Sequence, residues 1–264
     1  MQLVVRRTED LGAHLRRVWL GGPGLDDYVH NQFTDAYVKL VFPRPGVSYP
    51  VPLDLPAIRL DLPSERWPVL RTYTVRRYDG DAGELAIDFV LHGDAGVAGP
   101  WAARATSGDE LVVLGPGGAY APRADADWHL FVADESAIPA VAAALERLPA
   151  SARALAFVEV ESADDELVLD TRAALDLRWV HRDDAAPNAR LVDAVRAAEW
   201  PVGRPHAFVH GELGAIRGLR PHLLEERGLT TDDLSISGYW RVGKDEDGFQ
   251  AEKAEDARRA VATS

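Results

Sequence analysis

Trp128-His129-Leu130-Phe131-Val132-Ala133, then Asp134-Glu135-Ser136-Ala137, then the largely apolar stretch 138–148, mark the point at which the chain changes rhythm. The first run reads as a strand covered on both faces, and the third as a helix that Pro149 closes. Downstream the alternation continues: 154–160 and 178–181 as strands, 190–198 as a helix, 206–210 as a strand, 215–227 as a helix with Gly228 as C-cap, and 234–240 as a last strand. Strands alternating with helices predict a doubly wound parallel sheet, an α/β domain over residues 123–264.

Upstream the rhythm is different. Residues 15–20, 37–42, 72–76, 85–91 and 110–114 read as short strands punctuated by Pro and Gly. Pro43, Pro45, Pro50, Pro52 and Pro56 predict an irregular surface loop. Many short strands with few helical patterns predict an antiparallel β-barrel over residues 1–122. The fold class is therefore a β-barrel followed by an α/β domain, with the boundary near Pro122-Arg123.

Composition excludes several functions. The chain has 264 residues, 47% of them hydrophobic, which suffices for real cores. It contains no cysteine, so disulfides, thiolate zinc sites and cysteine-held iron–sulfur clusters are ruled out, and no metal site is expected. A net charge of −13 argues against nucleic acid as a partner. No apolar run approaches the roughly 20 residues a bilayer span needs, and residues 1–20 lack the core of a signal peptide. A soluble, cytoplasmic monomer without membrane insertion is expected.

Three clusters in order carry the chemistry. Arg71-Thr72-Tyr73-Thr74 combines a cation, an aromatic ring and hydroxyls; along a strand Arg71 and Tyr73 share a face, while Thr74 points away. Asp88-Phe89-Val90-Leu91-His92 follows, with His92 open to either a structural bond or a ligand. In Gly96-Val97-Ala98-Gly99-Pro100-Trp101, Gly99 permits close approach and Pro100 starts a helix that Ala102 continues, a turn suited to phosphate or simply a loop-to-helix junction. An isoalloxazine has a flat face, a polar edge and a charged pyrophosphate tail, and the clusters supply one partner type for each. They read as a flavin site.

With these motifs the chain resembles the siderophore-interacting protein family, flavin-dependent ferric-siderophore reductases of the ferredoxin-reductase-like superfamily. The resemblance also rests on Asp35-Ala36-Tyr37-Val38-Lys39-Leu40-Val41-Phe42-Pro43, on Asp134 to Ala140, on His210-Gly211-Glu212 and on Ser237 to Gly243, in order over nearly the whole chain. It implies an FAD-binding barrel and an NAD(P)H-binding α/β domain. It implies that Arg71 holds the pyrophosphate, Tyr73 stacks on the isoalloxazine and Thr74 bonds near its N5. Asp88, Val90 and His92 would line the flavin and its ribityl chain, and Ala98, Gly99, Pro100, Trp101 and Ala102 would cradle the phosphates.

The second cofactor has its own signal. Asp134, Glu135, Ser136 and Ala137 lie between a buried strand and a helix, where open α/β sheets bind ligands. No GxGxxG stands there; Gly115-Pro116-Gly117-Gly118 reads as a turn, because no helix follows it. Where the resemblance implies glycine, the chain has Ala133, which implies a less close backbone approach. His210, Gly211 and Glu212 end a strand on the same sheet edge and are expected to face NADH or NADPH. Tyr239 and Trp240 end the last strand, either as core or beside the flavin.

The implied reaction passes the two electrons of a hydride to flavin and then singly to ferric iron. Ferric siderophores are often anionic, so Lys39, and less so Arg241 and Lys244, are the expected substrate cations, with an exposed strand lysine as the plain alternative for Lys39. Gly117 and Gly118 replace a cation found in some relatives, implying a looser preference for highly charged catecholates. Residues 251–260 read as a terminal helix, solvated or docked near the reductant site. Resemblance to the longer-tailed branch favours NADH or reduced ferredoxin over strict use of NADPH. Two other functions fit the same motifs: a reductase that passes electrons to a protein partner, and a flavin carrier without turnover.

Overall fold

In the computed structural model the described residues are 1–91, 93–94, 96–183, 185–244, 246, 248–249 and 252. Strands β1 (Gln2–Asp10), β2 (Leu15–Gly21), β3 (Tyr37–Phe42), β4 (Val69–Asp79), β5 (Glu84–Val90) and β6 (Glu110–Gly117) close into a barrel in the order β1-β2-β5-β4-β3-β6. Every neighbouring pair is antiparallel. Alternate residues point inward, so Leu3 and Val5, Val38 and Leu40, Leu85, Ile87 and Phe89, and Leu111 and Val113 form one core. Two short helices interrupt the strands, α1 (Leu55–Asp61) and α2 (Ala98–Arg104), and Ala98 and Ala102 of α2 pack into that core.

The second half is a five-stranded parallel sheet of β7 (Trp128–Ala133), β8 (Arg153–Val160), β9 (Ala174–His181), β10 (Pro205–Glu212) and β11 (Leu234–Trp240), in the order β11-β10-β7-β8-β9. All of β7 is buried because it is covered on both faces. Its Phe131 and Ala133 meet α3 (Ile138–Arg147), while Trp128, Leu130 and Val132 meet α4 (Ala189–Ala197) and α5 (Leu213–Pro221).

Four expectations needed adjustment. β1 carries Arg6 and Arg7 on a half-solvated strand, which hides its inward Leu3 and Val5 from a hydropathy reading. Within the proline-rich segment Asp54 caps the amide of Ala57 at 3.0 Å and Pro56 sits in the first turn, so a helix forms there. Gly115 to Gly117 continue β6 instead of turning, since Gly117 pairs with Tyr37. The last long helix is α-helical only to Pro221 and ends in a wider turn, His222–Glu226; Gly228 then takes φ 71°.

The linker brings two buried histidines together. His206 stacks on Tyr120 at 4.8 Å and accepts the amide of Arg123 at 3.2 Å, and His129 lies edge-on to it at 6.4 Å. Burial, then Arg123 and His129, hold His206 down at about 4; burial and Arg123 also lower His129. The unfolded chain protonates these rings near pH 6.5 and the folded one resists, so stability falls as pH drops from about 6.5 towards 4. Between pH 7 and 4.5 the expected loss from His206 is about 2–3 kcal/mol. Urea midpoints at the two pH values measure it, and His206→Phe should flatten the dependence.

Candidate functional site

The barrel presents β3 and β4 side by side, with Tyr37 opposite Thr74, Val38 opposite Tyr73, Lys39 opposite Thr72 and Leu40 opposite Arg71. Directly opposed residues share a face, so Arg71 and Tyr73 lie on the face of buried Val38 and Leu40, while Lys39, Thr72, Thr74 and Tyr37 lie on the other. Ring contacts of 4.5 Å (Tyr73 to Phe89), 5.6 Å (Phe89 to Trp101) and 5.9 Å (Trp101 to Phe42) form a continuous aromatic shelf from β4 to α2. Burial, and then the charge of Glu246, push the Tyr73 phenol up, so its ring is a neutral surface.

Asp88 is buried, and both its oxygens are held by Arg17 at 2.6 and 2.8 Å. Its carboxylate therefore fixes β2 against β5. Val90 ends β5, and a Cβ on Gly99 would come within 3.3 Å of its carbonyl oxygen, so glycine lets α2 pack against the strand end. Pro100 is buried there as well, and the N-terminus of α2 has no side-chain cap. His92 lies outside the described residues. Before Arg71, a cleft of about 380 Å³ opens between Arg44, Arg59, Trp67 and Leu70.

On the sheet side Asp134 organises the edge. Only 3% exposed, it accepts on Oδ1 from the Ser136 amide at 3.0 Å and hydroxyl at 2.5 Å. Its Oδ2 accepts from the Glu212 amide at 2.9 Å, Trp240 Nε1 at 2.8 Å and Asn188 Nδ2 at 3.3 Å. A Cβ on Gly211 would sit 2.7 Å from the same oxygen, which accounts for glycine there. Glu212 is buried too; it caps α5 through the amides of Gly214 and Ala215 and accepts from the Val242 amide at 3.3 Å. Both carboxylates serve internal donors and build the crevice rather than face it. Glu135 is half-buried beside Arg182 at 3.6 Å, and burial pushes its carboxyl up against that cation. Ala137 is buried at the start of α3, and the methyl of Ala133 lies in the core beneath that helix. His210 stacks on Phe208 at 4.0 Å and meets Ser235 Oγ at 2.9 Å, as a packed core histidine does.

The two halves meet where the site residues concentrate. Tyr239 packs edge-on to His210 at 4.9 Å and its phenol comes near Thr74, which brings the end of β11 close to β4; burial foremost pushes that phenol up. Arg76 of β4 pairs with Glu146 of α3. Lys39 donates to Thr72 Oγ1 at 3.0 Å, and Thr72 donates to Glu246 through its amide at 2.8 Å and its hydroxyl at 2.5 Å. Arg241 pairs with Glu252. Thus Lys39, through Thr72, and Arg241 are tied to acids after β11, where Phe249 is buried; residues 251 and 253–260 of the expected tail helix lie outside the described residues.

Glu246 and Asn188 were not singled out by the sequence, and Thr72 and Tyr37 stood in quoted motifs without a role of their own. A Cβ on Gly117 would run into the Tyr37 ring, so that ring fills the space a cation would take at 117. Asn188 had a signal, being a residue that tolerates the left-handed φ of 64° seen here before α4. Among the described residues no group of His, Asp and Glu is placed to hold a metal ion, and no helix is long and apolar enough to cross a membrane.

Comparison with known proteins agrees with this architecture. Residues 4–120 match the model of the siderophore-interacting FAD-binding domain, and residues 126–243 match that of the siderophore-interacting protein. The chain is 37% identical to the NADPH-dependent ferric-chelate reductase of Escherichia coli, over 91% of this chain and 92% of that one. It is 33% identical to the ferric vibriobactin reductase of Vibrio cholerae, over 94% and 91%. The crystal structure of the siderophore-interacting protein SipS from Aeromonas hydrophila superposes with a TM-score of 0.80 at 31% identity, covering 100% of this chain and 98% of that one. The chain therefore belongs to the siderophore-interacting protein family.

Proposed function

We propose that the protein is an FAD-dependent ferric-siderophore reductase of the cytoplasm, drawing electrons from NAD(P)H or ferredoxin. The observation that carries the proposal is the junction in which β4, the strand of Arg71 and Tyr73, is tied to the second domain by Thr72 donating to Glu246 and by Arg76 pairing with Glu146 of α3, beside the carboxyl edge of the parallel sheet. We place the domain boundary at Pro122-Arg123, between the last barrel strand and the first sheet strand.

The residues present suit FAD. Arg71 would hold the pyrophosphate, with the uncapped start of α2 adding backbone donors from Ala98 and Gly99. Tyr73 on its aromatic shelf would give the ring a flat neutral surface, and Thr74 a hydroxyl at its edge. The cleft with Arg44, Arg59 and Trp67 offers room for the remaining nucleotide. Bound FAD would supply the conversion of a two-electron donor into one-electron reduction of ferric iron. One NADH then yields NAD⁺, a proton and two Fe(II), whose lower charge weakens their hold on anionic oxygen ligands. Lys39 would draw the anionic chelate to the seam, in competition with Glu246 for the same locality.

Freshly purified protein should be yellow, bleach on anaerobic addition of nicotinamide donor, and regain colour with a ferric siderophore while an Fe(II) trap records two irons per donor. A colourless protein unable to take up FAD, or a bleached one that ferric chelate leaves bleached, would overturn the proposal. Lys39→Ala should raise KM for anionic ferric chelates about tenfold, the effect of one charge-assisted contact. Glu246→Gln should lower it, because the competing carboxylate is gone. The rate of bleaching by donor is the internal control for both.

A further inference from the structure

We infer that the free edge of β9 is an interface at which two copies of this chain pair as antiparallel strands, with Leu177 on the two-fold axis. The inference concerns the far edge of the parallel sheet and is independent of the reductase reading.

β9 ends the sheet, and among the described residues only β8 pairs with it. The Ala174 amide donates to Ala152 at 3.0 Å and the Arg182 amide to Val160 at 2.9 Å, both towards β8. Successive residues of a strand turn their backbone groups to opposite sides, so those of Leu175, Leu177 and Trp179 point away from β8. His181 has the same phase: its carbonyl, also outward, accepts from Arg190 at 2.9 Å and closes that end of the edge. An open edge is ordinarily blunted by Pro, Lys or a bulge. β9 has none of these, and its register with β8 runs unbroken from 174 to 181.

The charges on that edge match a second copy. Asp176 and Arg178 share one face, with side chains 56% and 42% exposed, and pair with each other at 2.7 Å. So exposed a pair adds little to the fold. In an antiparallel pairing centred on Leu177, Asp176 stands directly opposite the second copy's Arg178, and Arg178 opposite its Asp176. Opposed unlike charges stabilise a strand pair, and opposed like charges destabilise it. Sliding one copy by two residues sets Asp176 against Asp176, or Arg178 against Arg178. Sliding it by one faces outward backbone groups with groups already bonded to β8. Charge and hydrogen bonding therefore select the same single register.

The opposite face agrees. Leu175, Leu177 and Trp179 are half-buried and pack in the layer that Leu167 and Leu169 also join. In the chosen register Leu177 meets its own copy and Leu175 meets Trp179, which carries the apolar layer across the axis. Each opposed outward pair exchanges two backbone hydrogen bonds, and two five-stranded sheets become one. β11 lies at the opposite end of the sheet, so both seams with the barrel stay clear of the contact. Two short strands cover less than the roughly 1,200 Å² of a stable interface, so the dimer is reversible. The monomer expected from the sequence is its dilute state.

Sedimentation velocity of the full chain over about a hundredfold range of concentration tests the pairing. Native protein should shift from monomer to dimer mass as concentration rises, and amide exchange at Leu175, Leu177 and Trp179 should slow in step. Asp176→Arg and Arg178→Asp each place like charges opposite one another and should weaken self-association about tenfold or more. An equimolar mixture of the two variants should associate again, because every opposed pair in it is unlike; a folding defect would give no such rescue. Donor-driven bleaching should be unchanged in both variants. Native protein that stays monomeric throughout overturns the inference, as does a dimer that neither substitution weakens or a mixture no more associated than its components. Protected amides in a monomer would place another segment of the chain on the edge and overturn it as well.

Discussion

Arg71→Ala is expected to purify with little FAD and to bind added FAD roughly 30- to 150-fold more weakly, the effect of losing about 2–3 kcal/mol of charge-assisted hydrogen bonding. The argument is geometric. Arg71 projects from the face of β4 that carries Tyr73 and donates to the carbonyl of Leu70 at 2.7 Å, the neighbour that lines the cleft between Arg44, Arg59 and Trp67. A pyrophosphate threaded between that cleft and the start of α2 would meet guanidinium on one side and backbone amides on the other. Riboflavin has no phosphate, so its affinity should be unchanged in the variant, whereas FAD affinity collapses. Equal losses for both would show that the substitution distorts the ring surface. Undiminished FAD content, read from the ratio of flavin to protein absorbance, would remove Arg71 from the cofactor site.

What could be read from the sequence was what lies close together along the chain. Trp128 to Ala133 is apolar enough to be recognised as a doubly covered strand, and the turn at Asp134 to Ala137 follows at once. Arg71 to Thr74 occupy one strand, so their alternation onto opposite faces was also readable. What escaped depends on partners far away in sequence. Nothing local marks Glu246, yet it binds Thr72 across 174 positions and sets the surroundings of Lys39. Likewise, acidity at Asp134 and Glu212 suggests ligand contact, but both are buried and their oxygens accept from donors within the fold. Tyr37 fills the space beside Gly117 because a barrel pairs the two, a register that separate strands do not announce.

The buried carboxylate of Asp134 leads to the largest expected effect on stability. It gathers donors from the turn after β7, from the end of β10, from Trp240 after β11 and from Asn188 before α4. Asp134→Ala deletes the acceptor and leaves these donors buried, and an unsatisfied buried donor costs about 1–3 kcal/mol. Some will recover water or shift, so a total loss of about 3–5 kcal/mol is expected, large for a single substitution. Trp240→Phe removes one of the donors instead and keeps the acceptor occupied by the rest, so about 1 kcal/mol is expected. Asp134→Asn is the sharper control: it keeps the volume but places an amide where Glu212 N–H or Ser136 N–H needs an oxygen. It should therefore destabilise nearly as much as alanine, as measured by urea unfolding at pH 7. If both Asp134 variants unfold within about 1 kcal/mol of the native protein, the carboxylate is not the keystone of this edge and faces a ligand instead. Because the same donors set the positions of Tyr239 and Glu212, loss of nicotinamide-driven bleaching should accompany the loss of stability, even though Asp134 itself need never touch the dinucleotide.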